Sequence, residues 1–258
     1  MSHVRSLLRL PLMAIVTGLL FVLWLLTRPL ALISAALGRR THFAIVRTWA
    51  RSLALILNVE IEVSGSLLDP PVFLVSNHLS YLDIIVLFSV VDGFFVAKSE
   101  VASWPILGFL ARSTGTLFID RTRKSDLRRV TPLIEEILDS GSNVFVFPEG
   151  TSTQGAEVLP FKPSMFEAAI RGKVPVSAAS LTYSTPSDGP PAHLAVCWWG
   201  DMTFLKHCYE LVGLKAIHAA VTFTGQPLVA EDRKSLALDA HEAVNSIFTP
   251  VAHLECST

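Results

Sequence analysis

Between Leu10 and Thr27 the chain carries eighteen successive positions without a charge, LPLMAIVTGLLFVLWLLT. At 1.5 Å of rise per residue such a helix reaches roughly 27 Å, barely the thickness of a hydrocarbon core. Arg28 and Pro29 interrupt it, a second apolar stretch of ten residues follows from Pro29 to Gly38, and Arg39, Arg40, Arg47 and Arg51 come next. This pattern predicts a hydrophobic helical hairpin over residues 1–54. A secretory leader would share the basic start of Arg5 and Arg9, but it needs a shorter apolar core and a small-residue cleavage site. Cationic residues flank both ends of the first run, so the positive-inside rule selects no orientation, which suits a hairpin that enters one leaflet and returns. The expectation is association with the cytoplasmic face of the inner (plasma) membrane, with a single transmembrane span as the competing reading.

Beyond residue 55 the pattern changes to short β-rich runs separated by amphipathic stretches, an α/β signature for a second unit over 55–258. Strands are predicted at Val59 to Val63, Val72 to Ser76, Gly93 to Ala97, Thr116 to Ile119, Asn143 to Phe147, Val174 to Leu181, Leu194 to Trp199 and Ala216 to Phe223. Helices are predicted at Ile84 to Val91, Val101 to Arg112, Lys124 to Asp139, Ser164 to Arg171 and Glu231 to Phe248, with Pro132 starting or kinking one of them. The Ser184 to Pro191 loop, with three prolines, reads as a surface excursion without chemistry.

Composition reinforces the membrane reading: of 258 residues only 17% are charged and 51% are hydrophobic. A formal net charge of −1 supplies no field for nucleic acid. Cys197, Cys208 and Cys256 form no C-x-x-C pair, and so suggest neither a disulfide framework nor a zinc site, and no two histidines stand at ligand spacing.

Three segments carry candidate chemistry. In VFLVSNHLSYLD, residues 72 to 83, an apolar strand runs into Asn77 and His78, and open α/β sheets bind ligands at the carboxyl ends of their strands. If the chain turns into a helix after Ser80, Asp83 folds back onto one imidazole nitrogen and fixes the tautomer of the other, making His78 a general base. In GTLFIDR, residues 115 to 121, a turn glycine and a buried strand deliver Arg121, whose guanidinium suits a phosphate; the alternative is a surface arginine. In VFVFPEGTST, residues 144 to 153, Pro148 ends a strand and Gly150 permits a turn that can offer backbone N–H groups, Thr151 and Glu149 to a head group.

Taken in order and spacing, NHLSYLD, GTLFIDR, FPEGTS and the later VPV resemble the four motif blocks of the glycerolipid acyltransferase family, which includes the 1-acyl-glycerol-3-phosphate acyltransferases. The resemblance covers residues 70 to 182 closely. It implies a single glycerol-phosphate-acyltransferase-like α/β domain with a mixed, mostly parallel sheet behind a membrane anchor. It also implies His78 as base, Asp83 as its partner, and Gly115, Arg121, Glu149, Gly150 and Thr151 at the acceptor head group. Pro175 of VPV would belong to the donor-binding block, and Lys98 and Lys162 match basic positions near the phosphate. Two departures stand out: VPVSAAS lacks a second proline, and Pro163 replaces a common glycine. The stretch WWGDMTFLKH, residues 198 to 207, resembles one in a bacterial branch that includes lyso-ornithine lipid acyltransferases.

The implied reaction moves a fatty acyl group from acyl-CoA or acyl-carrier protein to a lysophospholipid hydroxyl, 1-acyl-sn-glycerol-3-phosphate before lyso-ornithine lipid, with no cofactor and no metal. No G-x-S-x-G elbow is present, so no acyl-enzyme is expected, with Ser80 the one nearby hydroxyl to exclude. The rivals are a hydrolase using the same base on water, and a membrane-attached binding protein.

Overall fold

Strands covered on both faces are apolar at successive positions, and the middle of this chain's sheet is built that way. In the computed structural model, which describes residues 2–120 and 123–252, β2 (Phe73–Ser76) and β5 (Val144–Val146) are buried throughout. With β1 (Val59–Ser64), β3 (Phe94–Lys98), β4 (Leu117–Ile119), β6 (Val176–Ser184) and β7 (Ile217–Phe223) they form one seven-stranded sheet of order β1-β7-β6-β2-β5-β3-β4. Every pairing is parallel except β6 with β7. Alternation sends Leu74 and Phe145 into one core and Phe73, Val75, Val144 and Val146 into the other. The first core takes in residues of α3 (Ala35–Leu57), α4 (Leu82–Val90) and α9 (Phe204–Val212); the second, of α6 (Lys124–Asp139), α7 (Glu167–Gly172) and α10 (Arg233–Ile247).

The predicted helix over 101–112 divides into a 3-10 turn, Ser99–Ser103, and α5 (Leu107–Ser113). Pro132 sits inside α6. The strand expected at Leu194 to Trp199 does not form: a short helix, α8 (Ala192–Ala195), takes its start. Val196 and Cys197 are fully buried without a ladder, and Trp198 N–H donates instead to Leu79 O at 2.8 Å. Burial, not pairing, explains the apolar run. Helix α9, unforeseen in the sequence, follows it.

At the N-terminus α1 (Ser2–Thr27), the single turn α2 (Leu30–Ile33) and α3 make the hairpin. Gly38 meets Ala31 so closely that a Cβ would lie 2.6 Å from the alanine Cβ. Trp49 Nε1 donates to Thr17 Oγ1 and Trp24 Nε1 to His42 Nδ1, both at 3.0 Å, zipping α1 to α3. The early arginines serve the α/β unit directly. Arg5 donates to Gly213 O at 2.8 Å, and Arg9 to Val212 O and Leu214 O at 2.9 and 2.6 Å. They cap the C-terminal carbonyls of α9, where the helix dipole favours cations. Arg47 pairs with Asp92 at 2.8 Å and Arg51 donates to Ser89 O at 3.0 Å, binding α3 to the end of α4.

Hydrogen bonds from a charged donor contribute about 1.5–3 kcal/mol each, so Arg9→Ala should release the start of α1. Hydrogen exchange is expected to rise across residues 2–13 while β2 and β5 stay protected; unchanged exchange there would contradict the clamp.

Candidate active site

Strands β2, β3 and β5 run parallel, so their carboxyl ends share one edge of the sheet. Past β2, the Asn77 side chain continues the ladder: its Nδ2 donates to Leu181 O at 2.9 Å and its Oδ1 accepts from Leu181 N–H at 2.7 Å. That clamp on β6 turns the chain out of the sheet at His78.

Asp83, in the first turn of α4, is wholly buried and faces back into the turn. Its Oδ2 accepts from His78 Nδ1 at 2.7 Å, Leu79 N–H at 2.8 Å and Ser80 N–H at 3.1 Å. Its Oδ1 accepts from the Tyr183 hydroxyl at 2.7 Å. An ionised carboxylate only accepts, so the imidazole proton belongs on Nδ1 and Nε2 keeps its lone pair. Among the described residues Nε2 has no hydrogen-bond partner, and the His78 side chain is 21% exposed. The ring stacks on Phe147, 4.1 Å between centroids and 9° between planes, which leaves it little freedom to rotate. Ser80 is fully buried and its Oγ accepts from Leu82 N–H at 3.3 Å.

Beyond β5, Gly150 takes φ +77°, a left-handed turn that glycine alone enters cheaply. That turn directs Glu149 inward. It is 2% exposed, and its two oxygens accept His78 N–H at 2.6 Å and Leu159 N–H at 2.9 Å. Burial pushes the Glu149 carboxyl up from 4.5 to about 7, against the pull of those N–H groups and helped by the charge of Asp83. The geometry gives Glu149 a hold on the backbone of His78. Thr153 N–H closes the same loop onto His78 O at 3.0 Å.

Thr151 is exposed beside this turn. Lys98 ends β3 on the same edge and pairs with Glu100 at 2.8 Å; Lys162 is exposed, and its N–H donates to Pro148 O at 3.0 Å. Arg121 lies outside the described residues. Two residues expected at the site stand at the far edge of the sheet. Pro175 O accepts from Phe73 N–H at 3.2 Å, at the start of β2, roughly 15 Å of strand from His78. Gly115 has φ +79° and abuts the Phe94 ring, which a Cβ would approach to 2.7 Å. Its conformation serves the turn into β4. Asn77 and Tyr183 were not singled out; the asparagine stands in NHLSYLD beside the histidine, whereas Tyr183 carries no local signal.

The Acyltransferase family model matches residues 58–182. The chain is 34% identical over 210 residues to a lyso-ornithine lipid O-acyltransferase of Rhodobacter capsulatus, covering 79% of this chain and 75% of that protein. It is 30% identical over 201 residues to a 1-acyl-sn-glycerol-3-phosphate acyltransferase of Neisseria meningitidis, covering 76% and 78%. The crystal structure of the 1-acyl-sn-glycerophosphate (LPA) acyltransferase from Thermotoga maritima shares the fold, with a TM-score of 0.67 over 96% of this chain and 98% of that one at 20% identity. By its fold, its matched blocks and its likeness to relatives of near-equal length, the chain belongs to the acyltransferase family and is an O-acyltransferase.

Proposed function

We propose that this enzyme transfers a fatty acyl group from the thioester of acyl-CoA or acyl-carrier protein to the hydroxyl of a lysolipid at a membrane surface, with His78 as general base. The observation that carries this reading is an accessible imidazole whose Nδ1 is held by a buried carboxylate, leaving Nε2 to accept a proton. Nε2 removes the acceptor's hydroxyl proton while the oxygen bonds to the thioester carbonyl carbon. Collapse of the tetrahedral adduct breaks the carbon–sulfur bond, and the imidazolium returns its proton to the departing thiolate. Asp83 balances the charge on the ring meanwhile.

As acceptor we favour 1-acyl-sn-glycerol-3-phosphate, supported by the cationic Lys98 and Lys162 near the histidine's edge of the sheet and by the Neisseria relative. Lyso-ornithine lipid is the second reading. The Rhodobacter relative supports it, and so does the packing of segment 198–207 on the histidine loop, where Tyr81 OH meets His207 Nδ1 at 3.0 Å. Neither donor requires a cofactor.

The membrane surface is reached through α1, whose Leu19 and Leu26 are exposed, the latter at 73%. Phe109 of α5 extends that apolar face by packing on Phe21 at 5.1 Å. Because α1 touches the protein from Arg5 to Trp24, we read it as lying along one leaflet, on the cytoplasmic side, rather than crossing the bilayer.

A positioned histidine base contributes about 10²- to 10⁴-fold, so His78→Ala should lose at least that in turnover; native turnover in the variant would end the base assignment. Labelled acyl-CoA offered with lysophosphatidate or lyso-ornithine lipid identifies the acceptor, and free fatty acid formed regardless of acceptor would make the protein a hydrolase. Burying a leucine is worth about 1.5–3 kcal/mol, so Leu19→Glu with Leu26→Glu should weaken vesicle binding at least about tenfold. Folding raises the Glu149 carboxyl from 4.5 to about 7, so the folded state binds the extra proton. Stability from this group is therefore present below 4.5 and lost as pH rises through about 7. Melting temperature against pH should show that fall in the native protein and lack it in Glu149→Gln.

A further inference from the structure

Tyr183 has no part in the chemistry described so far, yet it stands one hydrogen bond behind it. Its ring lies in the core beneath α4, 3% exposed, and its hydroxyl reaches Asp83 Oδ1 at 2.7 Å. A buried tyrosine hydroxyl needs an acceptor, and a backbone carbonyl would satisfy it. Here the acceptor is the oxygen of Asp83 turned away from the histidine, whereas the histidine and both loop N–H groups share the other. Burial, and then the adjacent Asp83 carboxylate, raise the phenol well above its ordinary value, so it remains a donor. Strand β6 makes this contact two residues after the Leu181 backbone that grips Asn77. One strand therefore anchors both flanks of the histidine loop.

We propose that Tyr183 is a positioning residue of the acyl transfer. Its hydroxyl fixes the rotamer of Asp83 and draws off part of the carboxylate charge, which sets both the aim of His78 and the ease with which it gives up its proton. The proposal rests on His78 being the base. Without the tyrosine donor, Asp83 turns more freely and offers more negative charge to the imidazole, so the ring holds a proton to higher pH. The titratable groups facing Asp83 are His78 from its own loop, Tyr183 from β6, Cys197 beyond α8 and Glu149 beyond β5. Burial and the charge of Asp83 keep the Cys197 thiol protonated. Glu149 titrates near 7 with help from the Asp83 charge, so pH profiles are compared only between proteins that share residue 83: native with Tyr183→Phe, and Asp83→Asn with the double variant.

The experiment is steady-state acyl transfer by the full-length, detergent-solubilised enzyme carrying Tyr183→Phe, Asp83→Asn or both, with His78→Ala alongside and melting temperatures for each. In Tyr183→Phe, kcat should fall about tenfold or more, as for loss of a hydrogen bond to a charged group, with KM within about twofold. The acidic limb of its kcat/KM profile should move to higher pH. In the Asp83→Asn background the same change should cost little further, since the effect passes through the carboxylate. Native kcat and an unmoved limb in Tyr183→Phe, or an undiminished loss in the double variant, would overturn the proposal. If Tyr183→Phe fails to fold, fluorotyrosine at the same position keeps the ring. Its stronger donor should move the limb to lower pH, and an unmoved limb counts against the proposal. Activity surviving in His78→Ala would instead remove the base assignment itself.

Discussion

A carboxylate taken wholly out of water has to be matched donor for donor, since an unpaired buried charge costs several kcal/mol. Asp83 is such a group, and its four donors come from the histidine, two backbone N–H groups and a strand on the far side of the loop. Meeting that demand dictates the path of residues 78–80, which wrap the carboxylate before α4 begins. The histidine is then held at the surface end of a network whose other members have no access to solvent. Its orientation follows from the requirement to satisfy Asp83.

The loop is pinned a second time from below. Glu149 holds the histidine's own N–H, Thr153 holds its carbonyl, and Asn77 locks the preceding residue to β6. These partners lie beyond β5 and on β6, the two strands that flank β2 in the sheet. A shift of either neighbouring strand therefore reaches the imidazole directly, and sites held this way act through preorganised geometry. The raised carboxyl of Glu149 is the cost of that arrangement: its two backbone contacts do not fully offset the desolvation.

What could be read from the sequence was what is local. His78 and Asp83 sit five residues apart, so a turn suffices to join them, and the β2, β5 and α6 patterns are clean. The N-terminal helical hairpin was legible from its uncharged run, but the role of Arg5 and Arg9 was not. They looked like flanking charges and prove to cap a helix 208 and 203 residues away along the chain. Tyr183 was invisible for the same reason, lying 100 residues from its partner. Leu194 to Trp199 misled because an apolar β-rich run describes burial as well as pairing. Gly115 and Pro175 were read as site residues through motif blocks whose conformational demands, a left-handed turn and a strand entry, arise at the opposite edge of the sheet.

The same network argues for direct transfer over a covalent intermediate. A protein nucleophile would have to reach Nε2, yet Ser80 is buried with its Oγ engaged by Leu82 N–H. Cys197 is buried too, and burial together with the charge of Asp83 raises its thiol far above the range where a thiolate forms. The carboxylate that orients the histidine thus adds to the burial that keeps this thiol protonated. Nε2 is left facing outward, and under the proposed function the hydroxyl it meets is the acceptor's own.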